Sequence, residues 1–186
     1  MPVDDLLLNA SRRMDKSVET IHAEFNTVRT GRASTGLLDR IAVEYYGQRT
    51  PLQQLATIST PEPRLLTVQP FDPSSLKAIE KAIMESDLGL TPSNDGRLIR
   101  LPIPQLTEER RKELVKLTRH MAEEGRIAVR NVRRDLNHHL KELSSSKEIG
   151  SDDERRAEER AQKMTDDHIK VIDELLGVKE AEIMEV

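Results

Sequence analysis

The sequence has no cysteine and no tryptophan, and only two phenylalanines and two tyrosines. Without cysteine, disulfides, thiolate metal ligands and cysteine nucleophiles are excluded. No run of about 18 apolar residues is present, so no membrane span is expected. The opening Met-Pro-Val-Asp-Asp lacks the basic-then-apolar order of a signal peptide, and the chain is expected to be soluble and cytoplasmic. No P-loop or dinucleotide glycine pattern occurs, and residues 89–96 read only as a turn-rich stretch. His138 and His139 are adjacent on a predicted helix and point about 100° apart, so they cannot chelate together. His22, His120 and His168 are isolated, and the carboxylates of residues 152–159 read as helix-start and surface charge. No catalytic residue, metal site or cofactor is expected.

What is present is charge and periodicity. Of 186 residues, 33% are charged and 36% hydrophobic, a balance too periodic for a disordered chain and lean for a round globule. Elongated helices fit better, because each buries a narrow stripe and leaves its other positions in water. The net charge is −4, which argues at first against a nucleic-acid partner. Its distribution says otherwise. Residues 107–141 carry ten Lys/Arg against six Asp/Glu, whereas residues 148–186 carry six against thirteen. One segment is basic and another strongly acidic, and that asymmetry is more informative than the total.

Leu7, Met14, Ile21 and Val28 repeat every seven residues, with Val18 and Phe25 interleaved. This is the seam of a coiled-coil-like helix from about Pro2 to Thr30. Gly31 and Gly36 then stop it. Residues 31–105 differ in character. Residues 38–46, 65–69 and 97–101 read as short strands. Asp72-Pro73 reads as an N-cap with proline at the first helical position, opening a helix to about Ser86 with Leu76, Ile79, Ala82 and Ile83 on one face. All prolines but Pro2 fall between Pro51 and Pro104. We read this region as a small inserted β/α/β domain, because the helical seam resumes after it.

A second long helix is predicted from Thr107 to about Ser145, on the order of 58 Å at 1.5 Å per residue. Ser144-Ser-Ser146 and Gly150 form the next turn. Ser151-Asp-Asp-Glu154 reads as a capping box opening a third helix, with Ala157, Ala161, Met164, Val171, Leu175 and Val178 on its seam. The predicted class is α+β: residues 1–30 and 106–186 form an elongated antiparallel three-helix bundle, and residues 31–105 the insertion. Gly31, Gly36, Pro102 and Pro104 mark two parallel linkers, which together form a hinge.

Projecting the second helix at about 100° per residue, with Arg119 at zero, places Lys112, Lys116, Arg126, Arg130, Arg133, Arg134 and Lys141 within about 60° of it. Leu114, Leu117, Met121, Ala128, Val132, Leu136 and Leu143 fall between about 160° and 260°, with Gly125 among them permitting a close helix approach. The cations therefore form a stripe expected to lie roughly opposite the core, interrupted only by Glu123. A solvated face would interleave Glu and Lys at four-residue spacing; this one accepts like-charge repulsion that an anionic partner would relieve. Arg29 and Arg32, where the first helix ends, are positioned to add a second basic cluster. Arginine forks match phosphate oxygens. Single-stranded RNA binders present aromatic stacking platforms, and none lies in this stripe, so the expected partner is folded RNA read through phosphates and shape. A helical scaffold that binds other proteins through its seams is the competing reading; it predicts indifference to salt and RNA.

Phe25-Asn-Thr-Val-Arg-Thr-Gly-Arg-Ala-Ser34, Val43-Glu-Tyr-Tyr-Gly47, Pro51-Leu-Gln-Gln-Leu-Ala56, Glu80-Lys-Ala-Ile83, Ser86-Asp-Leu-Gly-Leu90, Leu106-Thr-Glu-Glu-Arg-Arg-Lys112 and Ala128-Val-Arg-Asn-Val-Arg-Arg-Asp135 resemble, in order and over essentially the whole chain, the ribosome recycling factor family. The resemblance implies an L-shaped, monomeric, non-enzymatic translation factor. It implies binding to the post-termination ribosome and, with elongation factor G and GTP, separation of the subunits with release of mRNA and tRNA. The implied partners are large-subunit rRNA, the ribosome and elongation factor G. By motif, Arg133 is implied as the arginine most closely tied to rRNA binding, with Arg130 and Arg29 next.

Overall fold

The computed structural model describes residues 2–185. Its helices are α1 (Val3–Asn26), α2 (Leu76–Glu85), α3 (Glu108–Ser145) and α4 (Ser151–Met184). Its strands are β1 (Ala42–Tyr45), β2 (Gln48–Pro51), β3 (Ala56–Glu62), β4 (Leu65–Pro70), β5 (Ser93–Asn94) and β6 (Ile99–Pro102). The chain divides into two compact units. One comprises the chain up to Val28 and from Glu108 onward; the other is Arg29–Thr107.

The first unit packs α1, α3 and α4 around one apolar core. Leu7, Met14 and Ile21 are buried at their seven-residue spacing, joined by Ala10 and Phe25. Successive contacts give the helix directions. Arg13 of α1 pairs with Asp135 of α3 at 3.0 Å, while Ile21 lies against Gly125, so α1 and α3 are antiparallel. Asp4 pairs with Arg160 at 2.9 Å and Asp15 with His168 at 2.7 Å, so α1 and α4 run parallel. Gly125 is the point where the three helices meet. A Cβ built there would lie 2.5 Å from Ile21 Cγ1 and 3.3 Å from Ile172 Cδ1.

On α3 the buried set is Leu114, Thr118, Ala122, Gly125, Val129, Val132, Leu136 and Leu140. Leu117 is 43% exposed, because the core arc is rotated toward the buried Thr118 and Ala122. On α4 the buried seam is Ala157, Ala161, Thr165, Ile172 and Ile183, and both Val171 and Val178 are exposed. A buried threonine was not expected there; Thr165 resolves the problem by donating its hydroxyl to the Ala161 carbonyl at 2.8 Å. Residues 151–154 do not form a capping box. Gly150 is the N-cap, without a side-chain cap, and Asp152, Asp153 and Glu154 instead supply negative charge in the first turn.

The α3–α4 turn is closed by Lys147, not by glycine. Its φ is 61°, in the left-handed region. Glu148 N–H donates to the Leu143 carbonyl at 2.9 Å and Lys147 N–H to that of Ser144 at 3.1 Å, the paired bonds of a Schellman ending. At the other end of the bundle Arg111 donates to the carbonyls of Ile183 and Glu185, satisfying the last turn of α4.

The second unit has a four-stranded antiparallel sheet in the order β3-β4-β6-β5, a separate β1–β2 hairpin, and α2. Leu38, Val43, Leu52, Leu66, Val68, Ile79, Ile83, Ile99 and Leu101 are its fully buried apolar residues. The expected strand over residues 38–46 is shorter. Residues 35–38 form a 3₁₀ turn, and Tyr46-Gly47 is a two-residue hairpin turn with φ of 49° and 77°, both positive as a type I′ turn requires. Strands β2, β3 and β5 were not expected. They are polar or proline-bearing, and β3 lies at the sheet edge, where Pro61 costs no ladder bond. Asp72 is a cap, but of the 3₁₀ turn Pro73–Ser75 that leads into α2, whose own N-cap is Ser75 without a side-chain bond; the Asp72 carboxylate accepts from Ser74 N–H and Ser74 Oγ, and from Tyr45 OH at 2.8 Å. The Ser74 bonds first, then Tyr45, hold the Asp72 carboxyl below its ordinary pKa.

Gly125→Ala is expected to destabilise the bundle by about 1–2 kcal/mol in urea unfolding, because overpacking against Ile21 outweighs the gain in helix propensity. A more stable variant would contradict the close approach. Lys147→Gly is expected to act oppositely, stabilising by roughly 0.5–1 kcal/mol by removing a left-handed side-chain conformation. Its check is the shift in the unfolding midpoint.

Candidate nucleic-acid interface

The cations predicted as a stripe all lie on α3, but their surroundings differ from the projection. Thr118, Ala122, Val129 and Leu140 are buried, and in the same projection they fall at about 260° to 300°. The core therefore borders the stripe instead of opposing it. Arg126 and Arg133, at about 340° and 320°, sit on that border and are partly buried. The Arg126 side chain is only 20% exposed. The expectation of a fully exposed stripe opposite the core is thus corrected.

Three of the arginines cross to α4. Arg119 Nε donates to Glu180 Oε1 at 2.7 Å. Arg126 Nε donates to Asp173 Oδ1 at 2.8 Å, with Nη1 reaching Glu123 Oε2 at 2.9 Å. Arg133 Nη1 donates to the neutral Gln162 Oε1 at 2.9 Å. Arg130 lies farther out and shares Glu123 at 3.3 Å, and Lys112 pairs with Glu108 at 3.3 Å on its own helix. Arg134, Lys116 and Lys141 are exposed and, among the described residues, have no polar partner.

Electrostatics follow this geometry. The Glu180 hydrogen bond raises the Arg119 pKa further above its ordinary value. Burial works against the charge of Arg126, but hydrogen bonds to Asp173 and Glu123 outweigh it and raise its pKa. The Glu123 carboxyl is held below its ordinary value by its hydrogen bond to Arg126, with Arg130 contributing. Glu123, expected as an interruption of the stripe, is instead the shared counterion of two of its arginines.

Arg29 and Arg32 fall in the second unit, directly after Val28, where the first unit's opening segment ends. Arg29 donates to the carbonyls of Leu88 and Asp87, just beyond α2. Gly31 has a φ of 77° with the Leu106 side chain against it. Gly36 lies inside the 3₁₀ turn Thr35–Leu38, Pro102 ends β6 opposite Leu65, and Pro104 is exposed outside any element. Among the described residues no group of three or more His, Asp or Glu could hold a metal ion, and no helix is long and apolar enough to cross a membrane.

Sequence reasoning missed Asp173, Glu180 and Gln162 as neighbours of the stripe. A signal was available: Arg119, Arg126 and Arg133 step by seven, and Asp166, Asp173 and Glu180 also step by seven. An antiparallel α3–α4 pairing sets the two series face to face.

The family model described as Ribosome recycling factor matches residues 21–184. A ribosome-recycling factor of Rubrobacter xylanophilus is 61% identical over 180 residues, covering 97% of each chain. One from Carboxydothermus hydrogenoformans is 53% identical, covering 99% of this chain and all of that one. A solution structure of a ribosome recycling factor superposes with a TM-score of 0.82 at 45% identity, covering 100% of this chain and 99% of that one. A model of the T. thermophilus ribosome recycling factor, bound with E. coli elongation factor G to the E. coli post-termination complex, matches with a TM-score of 0.68 at 47% identity and full coverage of both chains.

Because the Arg126 side chain is only 20% exposed and is the most fully partnered of the stripe, Arg126→Ala is expected to cost about 1 kcal/mol of stability, at the upper end for surface pairs. Arg134→Ala is expected to stay within about 0.5 kcal/mol of the parent. Circular dichroism during urea unfolding measures both, and equal losses would contradict the division between border and outer cations.

Proposed function

This chain belongs to the ribosome recycling factor family, and on that premise we propose that it binds the post-termination ribosome and, with elongation factor G and GTP, separates the subunits for a new round of translation. The single observation carrying this reading is the 61% identity to a ribosome-recycling factor over 97% of both chains. The chain acts by binding and not by catalysis, in the cytoplasm, and the work of separation comes from GTP hydrolysis by its partner.

The grip on large-subunit rRNA is assigned to the α3 stripe. Arg133, Arg130, Arg134 and Lys116 are its leading contacts, because they are either without a carboxylate partner or share one with another cation. Arg119, Arg126 and Lys112 each have a carboxylate close by; they contact phosphate by sharing their remaining N–H groups, of which a guanidinium has five and an ammonium three. Arg29 and Arg32 add a basic contribution from the second unit. The chain crosses between its units twice, at Val28–Arg29 and Thr107–Glu108. The proposal includes relative motion about these crossings, flanked by Gly31, Gly36, Pro102 and Pro104.

Light scattering of post-termination ribosomes tests the reading. Scattering is expected to fall only when this protein, elongation factor G and GTP are all present. No fall, together with no salt-sensitive binding to the large subunit, would leave a protein-binding helical scaffold as the better account. Arg133→Ala is expected to fold normally and to weaken large-subunit binding by about 1–3 kcal/mol, the worth of a charge-assisted contact. A folded variant with unchanged affinity would remove Arg133 from the interface.

A further inference from the structure

Along the α3–α4 seam the two seven-residue series set one arginine opposite one carboxylate three times. Two rungs close directly, Arg119 on Glu180 and Arg126 on Asp173. The third does not. Gln162, one turn before Asp166 on α4, takes both partners: Arg133 Nη1 donates to Gln162 Oε1 at 2.9 Å, and Gln162 Nε2 donates to Asp166 Oδ1 at 2.8 Å. The amide is oriented by both neighbours, with its oxygen toward the cation and its nitrogen toward the carboxylate. A relay of this kind orients the guanidinium without neutralising it.

We propose that Gln162 is a positioning residue for RNA binding: its neutral amide holds Arg133 in place while occupying the Asp166 carboxylate, so that Arg133 meets a phosphate with its charge uncompensated. This rests on the reading of Arg133 as an RNA contact. Carboxylate and phosphate compete for the same guanidinium. An arginine already closed on a carboxylate must share or break an ion pair to take a phosphate, whereas a neutral amide oxygen holds no counter-charge to be displaced. An arginine on an amide oxygen gives up only a neutral acceptor, and its other N–H groups remain for the phosphate. The first two rungs thus divide their arginines between α4 and the partner, whereas the third leaves Arg133 to the partner.

The test is binding of the full-length protein to purified large ribosomal subunits across a salt series, for the parent, Gln162→Glu, Arg133→Ala and the double variant. Gln162 is exposed, so Gln162→Glu should fold, and it completes the third rung with a carboxylate. Affinity is expected to fall about tenfold or more, and the salt dependence to lose about one phosphate contact. The double variant is expected to bind no more weakly than Arg133→Ala alone. Parent-like binding by Gln162→Glu, with Arg133→Ala weakened, would overturn the role of Gln162 and leave Arg133 as a contact. A further loss in the double variant would also overturn it, since Gln162 would not then be acting through Arg133. Parent-like binding by Arg133→Ala would sink both readings.

Discussion

Three narrow-striped helices can share a core only if they approach closely at some level, and Gly125 supplies that level. Its missing side chain lets Ile21 of α1 reach the α3 backbone, with Ile172 of α4 beside it. Everything around the site inherits the resulting spacing. With α3 this close to both neighbours, Thr118, Ala122 and Val129 are buried as well as the larger apolar residues. The buried arc therefore widens toward the cations, and Arg126 and Arg133 end at its border instead of in open water.

That border position gives the arginines two duties. In water, ion pairs between long side chains contribute little, because the gain barely exceeds the cost of ordering them. Anchored to a packed seam, the same groups are already ordered. Arg126 is held from two sides by Asp173 and Glu123, and Arg119 by Glu180. The acidic character of α4 thus has a local meaning beyond solubility. Its carboxylates neutralise part of the α3 stripe within the molecule and leave a smaller set of cations available to a partner. Fewer available cations reduce loose, sequence-independent attachment to any polyanion, since each phosphate contact adds to the salt-sensitive part of the affinity.

The second unit obeys a different constraint. It is small and built from short strands, so turn chemistry decides much of its architecture. Tyr46-Gly47 closes one hairpin, and Asp72 ties the 3₁₀ turn that leads into α2 to Tyr45 of β1. Its sheet is complete only because the polar, proline-bearing β3 is placed at an edge, where its composition carries no penalty.

The sequence by itself determined the two long-range features that matter most: a seven-residue apolar repeat resuming after an insertion, and a clustering of cations on α3. Both are periodicities, and a helix converts periodicity into a face without help from the rest of the chain. The apolar face of α2 and the Asp72 cap of the 3₁₀ turn before it were legible for the same local reason. Which way α3 turns relative to its neighbours was decided only in the tertiary structure. A glycine and small residues such as Thr118 and Ala122 carry little hydrophobic signal, yet they sit at the closest approach, while Leu117, Val171 and Val178 carry a strong signal and remain exposed. Rotating the core arc by a fraction of a turn moved Arg126 and Arg133 from open solvent to the seam and set them against α4. The direct rungs and the Gln162 relay are contacts between residues far apart in sequence, and the register of two packed helices sets them.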